Sequence, residues 1–141
     1  MFSKYEVSIH QVARNTIISS AERVYPAECC GFMWGHNGII TIAAEEDNVS
    51  KDDKLRSFEI GTSAFMAAEK FADASGLYLM GVFHSHPDTV AEPSDRDQES
   101  AIPNFLYLIV AIVDHVVTEE RLWILNDYRN FTELYMHNNM T

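Results

Sequence analysis

Two histidines separated by one residue, His84 and His86, are followed by Ser94 and Asp97 after a loop that has a proline at each end. The apolar residues 77–83 ahead of them have the length and composition of a β-strand. Because side chains two residues apart in a strand share a face, both imidazoles should point to one side of a sheet. Two imidazoles and a carboxylate form a ligand set that suits a catalytic zinc, with one coordination position left for water. The spacing therefore predicts a metal site.

Each of these residues also has a simpler explanation when it is taken alone. Ser94 and Asp97 have the spacing of a helix capping box, in which serine caps the first turn and an acidic residue hydrogen-bonds back to it. A single histidine is usually exposed or hydrogen-bonded. Two imidazoles on a strand beside Val82 and Phe83 are costly to bury without a partner, however, and the combination favours the metal site.

The elements around the motif predict one α+β domain over residues 1–141. Predicted helices cover about 8–24, 62–74 with Thr62 or Ser63 as its N-cap, and a short segment from Ser94 to before Pro103. Predicted strands cover 5–9, 28–35, 39–43, 77–86, 105–113 (buried on both faces), 122–125 and 131–136. The sequence Asn37-Gly38 predicts a hairpin turn.

The segment 45–57 is rich in charged residues and has no hydrophobic periodicity, so it is predicted to be a loop. A solvated connection is the simpler interpretation, and a flap that contacts substrate is the other. Trp34, Tyr107 and Trp123 are expected to pack in the core or on strand faces. The four histidines outside the motif lack ligand spacing and are expected at the surface.

Composition narrows the classes of function. The formal net charge of −11 argues against a nucleic-acid partner, whose phosphates would be repelled. The apolar runs are shorter than the roughly 20 residues needed to cross a bilayer, so no membrane association is expected. The N-terminus shows no signal peptide, which makes the cytoplasm the expected location. Cys29 and Cys30 are adjacent, a poor geometry for a disulfide, and are expected to be reduced thiols.

The motif residues together resemble one known family. His84-Ser85-His86-Pro87, then Ser94-x-x-Asp97 after six residues, with Glu28-Cys29-Cys30-Gly31-Phe32 upstream, closely resembles the JAMM (MPN-plus) metallopeptidases in their compact bacterial form. The resemblance covers nearly the whole chain. It implies a single-domain JAMM/MPN fold, related to that of cytidine deaminases, in which helices flank a mixed and mostly antiparallel sheet.

The resemblance also implies a role for each motif residue. His84, His86 and Asp97 would ligate one Zn²⁺ per chain, with water as the fourth ligand. Glu28 would be the general base on that water, and Ser94 would help to stabilise the oxyanion. The implied reaction is hydrolysis of a peptide or isopeptide bond at the C-terminal Gly-Gly of a small ubiquitin-like (sulfur-carrier) protein.

Two other classes of function are less well supported by the residues. A metal-free MPN-type interaction scaffold is the main alternative, but such scaffolds lose ligand residues, whereas all five expected positions are filled here. A zinc nucleobase deaminase would need His-x-Glu and Pro-Cys-x-x-Cys, and neither motif occurs in the sequence. The oligomeric state is left open.

Overall fold

The computed structural model of the protein describes residues 6–139, and within that range the chain forms three helices and eight strands. The helices are α1 (Gln11–Val24), α2 (Thr62–Ser75) and α3 (Asp95–Ser100). The strands are β1 (Val7–His10), β2 (Cys30–His36), β3 (Ile39–Glu46), β4 (Tyr78–Pro87), β5 (Leu106–Val113), β6 (Val116–Leu125), β7 (Phe131–Leu134) and β8 (Met136–Asn139). None of the described helices has the length and apolar composition that a membrane crossing requires.

The described strands form one sheet in the order β7-β6-β5-β4-β2-β3-β1-β8. The β1–β3, β1–β8 and β4–β5 pairs are parallel, and the other four pairs are antiparallel. The prediction of a mixed, mostly antiparallel sheet is therefore confirmed. Only Tyr135 separates β7 from β8 along the chain, although these strands lie at opposite ends of the sheet. The sheet must therefore curl until its two edges approach each other.

The helices α1 and α2 cover opposite faces of this sheet. Residues Ala13, Ile17 and Ala21 of α1 are buried in a cluster with residues of β1, β4 and β5. Ala68 and Ala72 of α2 are buried with the residues of β2 and β4 that point the other way. The strand β5 is buried on both faces from Leu106 to Ile112, as its uninterrupted apolar run predicts. The strand β4 lies between β5 and β2 in the middle of the sheet. This central position lets β4 hold side chains rigidly near its carboxyl end.

Three predicted element boundaries were wrong at the start of helices or strands. Residues 8–10 belong to β1 and not to the first helix, because Ile9 pairs with Ile40 in the sheet and strand pairing overrides the helical spacing. The N-cap of α2 is Gly61, without a side-chain cap, and Thr62 is already helical. The strand β2 begins at Cys30, so Glu28 precedes the strand.

The last part of the sheet differs more from the prediction. The strand β6 begins at Val116 and not at Leu122, because Asp114 and His115 adopt left-handed backbone angles and form a tight hairpin. Its first half is largely exposed and includes two glutamates, so it lacks the apolar pattern that marks a buried strand. The predicted strand 131–136 divides at Tyr135 into β7 and β8, and β8 pairs in parallel with β1.

Candidate metal centre

The strand β4 places His84 and His86 on one face of the sheet, where they are 0% and 5% exposed. Its neighbour β2 runs antiparallel, with Cys30 opposite His84. Glu28, two residues before Cys30, therefore lies on the same face as the imidazoles, and its Oε1 is 3.6 Å from His84 Nδ1. Glu28 is itself buried, at 4% exposure. The register of β2 against β4 thus brings together residues that are far apart in the sequence.

The helix α3 supplies Asp97 through a capping box that Ser94 and Asp97 form with each other. Ser94 Oγ accepts a hydrogen bond from the Asp97 N–H at 3.1 Å, and the Ser94 N–H donates to Asp97 Oδ2 at 2.9 Å. The carboxylate faces both histidines, with Oδ1 3.7 Å from His84 Nε2 and Oδ2 3.0 Å from His86 Nε2. All five side chains predicted from the sequence therefore meet at one place.

His84 lacks the hydrogen bonds that a buried imidazole normally makes. Its Nδ1 and Nε2 atoms, and Glu28 Oε1 beside them, are buried and have no hydrogen-bond partner among the described residues. Buried polar atoms in proteins are nearly always paired, because an unpaired one keeps its full desolvation cost. The arrangement therefore fits a binding partner between the side chains better than a purely structural role.

His86 is oriented by a hydrogen bond between its Nδ1 and the Val90 carbonyl at 2.9 Å. A carbonyl can only accept, so Nδ1 carries the proton and the neutral ring presents the Nε2 lone pair to Asp97 Oδ2. A lone pair and a carboxylate at 3.0 Å require a cation, either a proton or a metal, between them. In the metal-free protein burial lowers the pKa of His86, but the hydrogen bond and charge of Asp97 outweigh burial and raise that pKa overall.

The pKa of Asp97 is shifted in the opposite direction. Burial alone would raise the pKa of its carboxyl, but the charge of His84 and the hydrogen bond from His86 hold this pKa well below its usual range. The carboxylate is thus ionised throughout the neutral range, which is the state that a metal ligand needs.

The separations between these side chains fit a divalent metal ion. Glu28, His84 and His86 can each offer one ligand atom within 4.8 Å of the others. The Asp97 oxygens lie 3.0 and 3.7 Å from the two Nε2 atoms. Ligand atoms around a tetrahedral zinc are about 3.3 Å apart, given metal–ligand bonds of 2.0–2.2 Å. Four side chains converge here, one more than a three-ligand catalytic site requires, which leaves a carboxylate for acid–base work.

Two cavities meet at this cluster. An open groove of about 520 Å³ is lined by Glu28, His86 and Ser94, and two residues of the charged loop, Leu55 and Arg56, also line it. A smaller cavity of about 150 Å³ lies on the other side of His84 and Asp97 and is lined mostly by apolar residues. A water molecule and a substrate can therefore reach the cluster through the open groove.

One neighbour of the cluster carries no signal in the sequence. The Phe58 ring stacks on the His84 imidazole, with ring centroids 4.3 Å apart and an interplanar angle of 25°. A single aromatic residue in a short extended segment has no spacing that would connect it with a histidine 26 positions later.

The chain matches the family described as prokaryotic homologs of the JAB domain over residues 10–126, and it belongs to that family. It is 26% identical over 133 residues to Desampylase of Haloferax volcanii, an alignment that covers 89% of this chain and 94% of the relative. All five predicted site residues lie within the part of the chain that the family covers.

Solved structures show the same fold. A protein of Desulfitobacterium hafniense superimposes with a TM-score of 0.81 at 19% identity, covering 96% of this chain and 94% of that one. A structure described as JAMM, a metalloprotease-like zinc site in the proteasome and signalosome, superimposes with a TM-score of 0.57 at 16% identity over 93% and 97% of the two chains. The predicted family and fold class are confirmed, and the protein is a hydrolytic enzyme.

Proposed function

We propose that the protein is a zinc-dependent isopeptidase or peptidase that cleaves after the C-terminal Gly-Gly of a small ubiquitin-like sulfur-carrier protein. The observation that carries this proposal is the buried imidazole of His84, whose two unpaired nitrogens lie between the carboxylates of Glu28 and Asp97. The family membership and the 26% identity to Desampylase support the reaction class and the substrate class.

In this proposal His84, His86 and Asp97 hold the metal, and Glu28 does not ligate it. A zinc ion held there would supply a Lewis acid and would bring the pKa of a water molecule close to 7. Two imidazoles and a carboxylate are borderline ligands that suit zinc better than magnesium or calcium, which prefer all-oxygen sites. The JAMM structure described as a zinc site has the same fold and supports this choice of metal.

Glu28 acts as the general base and then as the general acid. Its carboxylate is buried at the edge of the open groove and has one unpaired oxygen, so it can take a proton from water and deliver it to the leaving amine. Ser94 Oγ accepts its hydrogen bond from the Asp97 N–H, which leaves the hydroxyl proton free to donate to the substrate oxyanion. Both residues line the same groove.

The Gly-Gly tail fits the approach to the cluster for a steric reason. The reacting carbonyl must come close to side chains that are nearly fully buried, and glycine permits the closest approach of a backbone because it has no Cβ. Leu55 and Arg56, which also line the groove, would contact the residues of the tail that precede Gly-Gly.

Cleavage assays with defined substrates test the function. The zinc-loaded protein is incubated with Gly-Gly-tailed carrier proteins that bear either a C-terminal extension or an isopeptide-linked lysine, and the products are measured by mass spectrometry. We expect cleavage after the second glycine, and no cleavage when the tail is changed to Ala-Ala or when the protein carries Glu28→Gln. Zinc-loaded protein that cleaves none of these substrates would overturn the proposed substrate. Protein that cannot take up zinc would favour the metal-free scaffold.

A further inference from the structure

We propose that Glu119 is a positioning residue for His86, acting through the peptide bond that joins Val90 to Ala91, and that Trp123 holds the same peptide in place. The inference deepens the proposed function, since it rests on His86 being a metal ligand. Neither Glu119 nor Trp123 belongs to the sequence motif.

The contacts form a continuous chain from a carboxylate to the imidazole. Glu119 Oε1 accepts a hydrogen bond from the Ala91 N–H at 3.1 Å, and the Val90 carbonyl accepts one from His86 Nδ1 at 2.9 Å. The Ala91 N–H and the Val90 carbonyl belong to one planar peptide unit and point in opposite directions, because the peptide is trans. Glu119 and His86 therefore hold the two sides of the same peptide.

The sheet places this peptide between the two side chains. His86 on β4 pairs with Ala111 on β5, and Ala111 pairs with Glu119 on β6, so the three residues form one row across the sheet. Adjacent strands are about 4.8 Å apart, so His86 and Glu119 are separated by roughly twice that distance. The small side chain of Ala111 leaves room for the loop, and Ala91 packs there at 0% exposure.

Trp123 fixes the other end of Ala91. Its indole N–H donates to the Ala91 carbonyl at 3.0 Å, and the ring packs against the same small apolar cluster. Trp123 and Glu119 are four residues apart on β6 and therefore share a face. The Val90 side chain is 55% exposed, so packing of that residue does not hold its carbonyl. That carbonyl is held instead by the hydrogen bonds that Ala91 makes with Glu119 and Trp123.

The chain has a chemical consequence for the imidazole. A carboxylate on a peptide N–H polarises the peptide and strengthens its carbonyl as an acceptor, because hydrogen bonds in series reinforce one another. A stronger acceptor at Nδ1 keeps that atom protonated and makes Nε2 a better metal ligand, as carboxylate partners do for ligating histidines. Glu119 is exposed over much of its side chain, but the N–H that it accepts from belongs to a buried residue.

The test compares Glu119→Ala with Glu120→Ala, a matched control on the same strand. The Glu120 side chain is the hydrogen-bonded partner of Arg14 on α1, so its removal costs an ion pair without touching the loop. Solvent exchange of the His86 Nδ1 proton is followed by NMR in metal-free protein, and zinc affinity is measured by competition with a chelating dye.

We expect Glu119→Ala to accelerate exchange of the His86 Nδ1 proton and to weaken zinc binding by roughly 10- to 100-fold, the usual effect of removing an outer partner of a ligating histidine. Glu119→Gln keeps an acceptor oxygen and should restore most of the zinc affinity and most of the protection of the Nδ1 proton. Trp123→Phe keeps an aromatic ring and should lower the zinc affinity less than Glu119→Ala does. Unchanged exchange and affinity in Glu119→Ala, or equal losses in Glu120→Ala, would overturn the proposal. The exchange result stands whether or not any carrier protein is cleaved, so the two proposals can fail separately.

Discussion

The backbone N–H of Ser94 donates a hydrogen bond to Asp97 Oδ2 at 2.9 Å, and the same oxygen lies 3.0 Å from His86 Nε2. The capping box and the predicted ligand are therefore one arrangement and not two alternatives. Capping orients the carboxylate of Asp97 toward the histidines before any metal arrives, which lowers the entropy that binding must remove.

Substitutions at Ser94 should separate its structural role from its chemical one. Ser94→Ala should destabilise the protein by about 0.5–2 kcal/mol, because alanine is a poor N-cap, whereas Ser94→Gly should cost only a few tenths of a kcal/mol. Both variants lack the hydroxyl donor, so both should cleave substrate more slowly. Urea unfolding and single-turnover cleavage rates measure the two effects. If Ser94→Gly cleaves like the unmodified protein, Ser94 is a cap and nothing more.

Glu28→Gln should retain zinc and lose cleavage. The substitution preserves the size of a side chain that is 4% exposed and removes the carboxylate that would accept a proton from water. General acid–base catalysis contributes about 10²–10⁴-fold, so a rate loss of that order is expected. Elemental analysis gives the zinc content and mass spectrometry gives the rate. Glu59→Gln, at an exposed position beside the smaller cavity, serves as the control and should cleave normally.

The stability of the metal-free protein should be greatest in mildly acidic solution. The pKa of His86 is raised above 6.5, so its stabilising contribution is complete below that pH and is lost as the pH rises through the folded-state value. The pKa of Asp97 is lowered from 3.8, so its contribution is present above that pH and is lost as the pH falls through the folded-state value. Urea unfolding of chelator-treated protein from pH 3 to pH 9 measures the alkaline limb and the onset of the acidic one.

The control for this pH profile is Asp97→Asn, which removes the charge that raises the pKa of His86. This variant should lose the decline of stability on the alkaline side. In the unmodified protein zinc and a proton compete for His86 Nε2, so zinc affinity should fall as the pH is lowered, which is the opposite trend to metal-free stability. Parallel pH profiles for affinity and stability would contradict the assignment of His86 as a ligand.

The sequence was sufficient for the parts of the site that depend on local spacing. His84 and His86 share a face because strands have a two-residue period, and Ser94 and Asp97 meet because a capping box spans three residues. Whether these residues ligate zinc stays a prediction. Glu28 could be connected with them only through the family resemblance, because its position depends on the register of β2 against β4.

Contacts that depend on long-range pairing were not predictable. The parallel pairing of β8 with β1 joins two short strands from opposite ends of the chain, and nothing in either strand specifies its partner. Glu119 lies in a largely exposed half-strand, where its side chain resembles any solvated carboxylate. Its contact with Ala91 becomes visible only when the strands are aligned.

Phe58 should support the metal site by packing, although it cannot ligate a metal. Its ring stacks on His84 at 4.3 Å and lines the smaller cavity together with His84 and Asp97. Phe58→Ala would enlarge that cavity, so we expect a loss of about 2 kcal/mol of stability, below the range for a fully buried phenylalanine because Phe58 is half-buried. Zinc affinity should fall as well, since His84 loses the surface that restricts its ring. Phe58→Leu refills most of the volume without stacking and should recover stability more than affinity. Equal recovery of both would show that volume alone matters, and chemical denaturation with dye competition distinguishes the two results.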